Sequence, residues 1–268
     1  MSVSRLTHIT KIGVEQMGDL ADSLKDSEVL RLENLDTDLR PPPSALAFTK
    51  RAVDEDDANS YLPFFGLEVM RQAAANLVRR QSGQQYDWKT ECVISAGGLS
   101  GILNVLLATL EPGDEVLMKE YRMIGWRVGW VVGPADIIAD VGRVSISNVV
   151  CQTRIAMGAV ATAINDPNDG LPACVAEWQR RRDVLLEELR EFTVIPPHGG
   201  WSLFLDVSPL GLDSATASKR LLESGRIAAT PMVNWGSANT NKDVRFVFAN
   251  EPVHRLCGVA NRVKQTLT

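Results

Sequence analysis

Hydrophobic positions recur at helical spacing over residues 12–32, where Ile12, Val14, Met17, Leu20, Leu24 and Leu30 fall near one face. Pro41, Pro42 and Pro43 then force an extended, exposed connection, because proline fixes its own φ and restricts the residue before it. Residues 66–81 form a clearer amphipathic helix, with Leu67, Met70, Ala74 and Leu77 on a shared face. A strand–turn–helix–strand unit follows. Residues 91–95 make a short apolar strand, 96–98 a glycine turn, 99–110 a mostly apolar helix and 115–118 a second strand. Pro112 and Gly113 stop the helix between them. Residues 127–132 predict a third buried strand, and 134–143, 145–165 and 171–191 predict helices. From about residue 193 the elements shorten. Strands are expected at 193–195, 201–206 and 244–248, and helices at 214–224 and 252–266. The order predicts an α/β core followed by an α+β cap, with a soft boundary near residue 168.

Composition narrows the function classes. The chain has 268 residues, enough for one large or two modest domains, with 45% hydrophobic and 23% charged residues. A net charge of −5 gives no general attraction to nucleic acid or to anionic membranes. No apolar run is long enough to span a bilayer. The N-terminus lacks an apolar signal region, and Glu15, Asp19 and Asp22 argue against a transit peptide, so a cytoplasmic location is expected. Cys92, Cys151, Cys174 and Cys257 are scattered, which predicts buried reduced thiols and neither disulfides nor a metal site.

Chemistry concentrates in a few segments. The turn at Gly97 and Gly98, between a strand and a helix N-terminus, offers free backbone N–H groups to a phosphate, although such turns are also common as plain structure. It is not a dinucleotide fingerprint. Lys119 precedes by eight positions the arginine of Gly125-Trp-Arg127-Val-Gly129. A lysine amine can form an imine and act as a base, and a guanidinium fork suits a phosphate. Arg245 lies inside an apolar strand run, where a buried charge needs a partner; a carboxylate ligand or an internal Asp or Glu would each serve. No histidine is placed like a catalytic one.

The run from Lys119 to Pro134 resembles the cofactor-lysine segment of the pyridoxal-phosphate (PLP) aminotransferases, classes I and II of fold type I, aspartate aminotransferase-like. The resemblance covers nearly the whole chain from about residue 30. It implies a truncated fold-type-I large domain over 49–168, with a small domain built from 1–48 and 169–268. It further implies that Lys119 is the Schiff-base and proton-transfer residue. Arg127 with the turn at Gly97, Gly98 and Leu99 would hold the cofactor phosphate. Tyr61, in a Tyr-x-x-x-x-Gly-x-x-x-x-Arg segment ending at Arg71, would reach the phosphate of the neighbouring subunit of a homodimer. Arg245 would clamp the substrate carboxylate and Trp201 would line the substrate pocket. The implied reaction transfers an amino group from an L-amino acid to a 2-oxo acid.

One block has no counterpart. Between Met118 and Lys119 family members carry several strands and helices, including the aspartate that pairs with the cofactor's pyridine nitrogen. Its loss predicts impaired turnover. Residues 115–118 are expected to fill the vacated strand position beside 127–132. Two rival readings stand beside transamination: another fold-type-I reaction such as β-elimination, and a shortened, inactive subunit that binds or regulates others.

Overall fold

The computed structural model describes residues 13–55, 61–109, 123–233, 235 and 240–268. They divide into two compact units, one made of residues 13–39 and 172–268 and the other of residues 40–171.

The first unit is built on a five-stranded sheet. Its strands are β1 (Leu30–Leu32), β4 (Thr193–Ile195), β5 (Ser202–Asp206), β6 (Ile227–Pro231) and β7 (Asp243–Val247), in the spatial order β1-β6-β7-β5-β4. β1 runs parallel to β6, with Leu30 opposite Ile227, and the other pairings are antiparallel. Helices α1 (Gly13–Leu24), α7 (Leu171–Glu188), α8 (Ser214–Glu223), α9 (Val253–Leu256) and α10 (Val259–Leu267) complete the unit. Central β6 and β7 are covered on both faces: Ile227, Ala228, Ala229, Val244, Phe246 and Val247 are all fully buried. Arg181 of α7 is buried too, and its charge is met by Asp38 at 2.7 Å, Glu177 at 2.8 Å and the Ala249 carbonyl. α8 begins at Asp213, whose carboxylate accepts from the Thr216 amide at 2.9 Å and so satisfies one orphan donor.

The second unit contains α2 (Pro43–Ala52), α3 (Glu68–Ser82), β2 (Cys92–Ser95), α4 (Gly98–Thr109), β3 (Gly129–Val132), α5 (Ala135–Asn148) and α6 (Arg154–Asn165). Its core joins Met70, Ala73, Ala74 and Leu77 of α3 to Met157, Ala159 and Val160 of α6 and to Ile94 of β2. Small side chains bring the helices close. A Cβ at Gly158 would lie 2.2 Å from the Phe48 ring. β2 and β3 pair antiparallel, with Cys92 opposite Val132 and Ser95 opposite Gly129, and they are the only ladder among the described residues of this unit. Arg71 ties α3 to β2 by donating to the Cys92 carbonyl at 3.1 Å and the Lys89 carbonyl at 2.5 Å.

Several elements differ from the sequence expectation. The strand expected at 127–132 begins only at Gly129, because Arg127 adopts the left-handed region at φ 51° after a 3₁₀ turn over Ile124–Trp126. The break expected between the helices at 134–143 and 145–165 comes later: α5 runs on to Asn148, and the chain turns where Val150 is left-handed at φ 68° before α6 starts at Arg154. Pro43 starts helix α2 instead of ending an extended connection; proline fits the first helical turn, where its missing N–H has no partner to lose. The first predicted helix stops at Leu24, and Leu30–Leu32 is strand β1. None of the four cysteines is in a disulfide, only Cys92 is buried, and burial pushes its thiol up to about 12. The expected strand at 115–118 lies outside the described residues. No described helix is long and apolar enough to cross a membrane.

Candidate active site

Two groups of sequence-predicted residues come together, one in each unit. In the second unit the chain leaves β2 at Ser95 and turns through Gly97 at φ 80°, a conformation that side chains with a Cβ rarely adopt. Ser95 Oγ donates to the Gly97 carbonyl at 3.0 Å and closes the turn. α4 then starts at Gly98, so the amides of Gly98 and Leu99 lie in its first turn, which has no internal acceptors. Neighbouring β3 brings Arg127 over this turn. A Cβ at Gly97 would stand 2.8 Å from Arg127 Nη2 and 3.1 Å from its Cζ. The glycine therefore leaves the space in which the guanidinium lies. Gly129 serves the same approach from the other side, since a Cβ there would be 2.7 Å from the Gly97 carbonyl carbon. Arg127 is exposed and spends one guanidinium N–H on the Ile124 carbonyl at 3.3 Å, with no other side-chain hydrogen bond to the described residues. A cation, a glycine turn and the positive end of a helix dipole converge here. That set suits a phosphate dianion.

Tyr61 precedes α3 and is 87% exposed, and Leu99 is 74% exposed. Lys119 lies outside the described residues.

In the first unit Arg245 occupies the middle of β7 and is only 3% exposed. One Nη donates to the Glu33 carbonyl at 2.8 Å and reaches Thr230 Oγ1 at 3.4 Å. Its Nε is buried with no hydrogen-bond partner, and no described carboxylate forms an ion pair with it. Burial pulls the guanidinium down to about 10, with the nearby Glu33 charge opposing that shift. Of the two partners left open by the sequence, an internal acid and a carboxylate ligand, the Glu33 carboxylate is near enough to act on the charge but forms no ion pair with it, and the hydrogen bonds go only to backbone and hydroxyl oxygens. The indole of Trp235 lies 5.0 Å from the Arg245 cation.

Trp201 is placed elsewhere. Its ring packs against Trp178 of α7 at 5.0 Å between centroids. The β5–β7 register pairs Phe204 with Arg245 and Ser202 with Val247, so strand alternation turns Trp201 to the opposite face from Arg245. The aromatic ring beside Arg245 is Trp235, which sequence reasoning missed. A lone tryptophan between β6 and β7 has no periodicity to mark it, and only the fold brings it to Arg245.

The family model for aminotransferases of class I and II matches residues 28–122 and 118–261. Among curated relatives, the arginine–pyruvate transaminase of Pseudomonas aeruginosa is 30% identical over 145 residues, which are 53% of this chain and 37% of that protein. The aspartate/prephenate aminotransferase of Thermus thermophilus is 31% identical over 118 residues, 42% of this chain and 30% of that protein. The chain thus spans about a third of the length of these relatives. Among solved structures, N-succinyldiaminopimelate aminotransferase from Mycobacterium tuberculosis has a TM-score of 0.86 at 20% identity, covering 99% of this chain and 100% of that one. Aspartate aminotransferase from Thermus thermophilus with maleate has a TM-score of 0.85 at 18% identity, covering 100% of both chains. These likenesses identify the fold, and the family-model match covers most of the sequence. The chain belongs to the class I and II aminotransferases.

Proposed function

We propose that this chain binds PLP and transfers an amino group from an L-amino acid to a 2-oxo acid, with turnover below that of its relatives. The observation that carries the reading is the approach of Arg127 to the Gly97 turn at the N-terminus of α4, a cradle that a Cβ at Gly97 would fill. It fits the cofactor's phosphate. When bound, PLP supplies an aldehyde that captures amines and a ring that takes up electrons.

The chain's own residues would divide the remaining work. Arg127 and the amides of Gly98 and Leu99 hold the phosphate. Lys119 Nζ provides the anchoring amine and moves the proton at the substrate α-carbon. Arg245, whose Nε has no partner inside the unit, receives the substrate carboxylate. Tyr61, exposed before α3, extends to the phosphate of a second subunit in a homodimer. In this reading the unit of residues 40–171 holds the cofactor, and the other unit is the small domain.

Slow turnover follows from what lies before Lys119. The family match falls into two stretches that overlap at residues 118–122, which supports reading the carboxylate that pairs with the ring nitrogen in the family as missing from the chain. Losing a charge-assisted partner of that kind costs about 3 kcal/mol of transition-state stabilisation, or on the order of 100-fold in rate. The same gap favours a second reading, a cofactor-retaining subunit that does not turn over.

Purified chain incubated with PLP and dialysed should keep a near-visible absorbance band that Lys119→Ala removes and Arg127→Ala weakens. Amine transfer from a panel of L-amino acids to 2-oxo acids, slow but dependent on Lys119, supports the enzyme. A Lys119-dependent band without transfer supports the second reading, and no band at all rejects both.

A further inference from the structure

The surroundings of Arg245 restrict what can bind there. Strand register places Phe204 on one side of Arg245 and Thr230 on the other, all three on the same face of the sheet. Phe204 is half-buried, and the Thr230 hydroxyl is committed to the Glu33 carbonyl at 2.8 Å. Trp235 lies against the guanidinium at 5.0 Å yet remains 40% exposed, so part of its ring is free for a ligand. The same sheet face carries one other arginine, Arg31, which pairs with Ala228 in the register. Its charge is already met by Asp22 at 2.6 Å and Glu33 at 2.7 Å. The site therefore offers one available cation framed by two aromatic rings.

We infer that Trp235 is a specificity-determining residue and that the preferred substrates are monocarboxylates with aromatic or large apolar side chains: 2-oxo acids of that kind and their amino acids. This rests on the reading of Arg245 as the carboxylate clamp. A carboxylate seated on Arg245 leaves its own side chain beside the exposed indole. An aromatic or branched apolar group gains contact area there and stacking against the ring. A second carboxylate would lose water and meet no free cation among the described residues of this sheet face, which penalises dicarboxylates. The stacked indole also holds the guanidinium in place without using its N–H groups.

The test is calorimetric titration of the purified chain with phenylpyruvate, pyruvate and 2-oxoglutarate, without reference to turnover. Phenylpyruvate should bind about tenfold tighter than either other acid, the factor expected of one aromatic contact. Trp235→Ala should weaken phenylpyruvate more than pyruvate and so remove that preference, whereas Trp235→Phe should keep most of it. Arg245→Gln should weaken all three ligands together. An aromatic preference that survives Trp235→Ala, or no preference in the wild-type chain, overturns the inference while the clamp stands. Binding untouched by Arg245→Gln, or no binding of any of the three acids, overturns the clamp itself.

Discussion

Arg245 and Arg127 are both cations suited to an anion, but the two units present them differently. Arg245 projects from a central strand hydrogen-bonded on both sides and buried on both faces, and its guanidinium is fixed by the Glu33 carbonyl, Thr230 and Trp235. Arg127 precedes a strand with one partner and is exposed, and it is aimed by a left-handed backbone and by the space two glycines leave open. The proposed carboxylate site is held by a whole sheet around it. The proposed phosphate site depends on a few backbone angles. α4 carries the contrast further: Leu99, Leu103 and Leu107 recur along one exposed face. The unit with the cradle thus leaves apolar surface uncovered among its described residues, while the sheet of the other unit is enclosed.

The sharpest way to break the contrast is in the enclosed sheet. Phe246→Ala removes a fully buried ring from β7 and should cost about 3–5 kcal/mol in chemical denaturation, with carboxylate binding declining in parallel. An effect below about 1 kcal/mol would mean that the sheet is not what holds Arg245. Next comes the cradle. Gly97→Ala combines a positive φ with a Cβ placed against Arg127 and should cost about 1–2 kcal/mol of stability. Its larger effect should appear in PLP retention, measured by absorbance after dialysis. If retention is unchanged, the phosphate is held elsewhere.

Protonation separates the two arginines further. Burial lowers Arg245 to about 10, so the charge proposed to receive a carboxylate is present below that value and lost above it. Carboxylate affinity, followed by titration calorimetry from neutral pH upward, should fall as pH rises through about 10. Stability moves the other way. A cation whose folded pKa is depressed opposes folding while charged, and that opposition is relieved as pH rises through the folded value. The smallest expected effect is on α4: Leu103→Gln, at a position 51% exposed, should change stability by less than about 0.5 kcal/mol. A larger loss would show that the leucine face is covered in solution.

The legibility of these regions in the sequence followed the same divide. α3 was plain, since its apolar positions keep helical spacing against one core. The cradle was legible too, because glycine turn, arginine and helix start are local features with direct backbone meaning. β6 was not: Ile-Ala-Ala-Thr-Pro is buried on both faces, so it shows no alternation, and its proline argues against a strand. β1 was absorbed into the preceding helix because Leu30 continues that helix's spacing, and its strand state is set by β6, distant in sequence. The pairing of Arg245 with Trp235 and the turning away of Trp201 both depend on register, which no single segment encodes.

The parallel pairing of β1 with β6 has a consequence for how the protein is made. The Thr230 hydroxyl that reaches back to Glu33 joins positions 197 residues apart, and Leu30 meets Ile227 across the same separation. At a synthesis rate of about 5–20 residues per second, β1 leaves the ribosome roughly 10–40 s before its partner exists. Residues 40–171 emerge during that wait and can condense while β1 is still an unpaired apolar strand. Chaperone occupancy during translation should therefore begin as β1 emerges and end only when β6 and β7 have emerged.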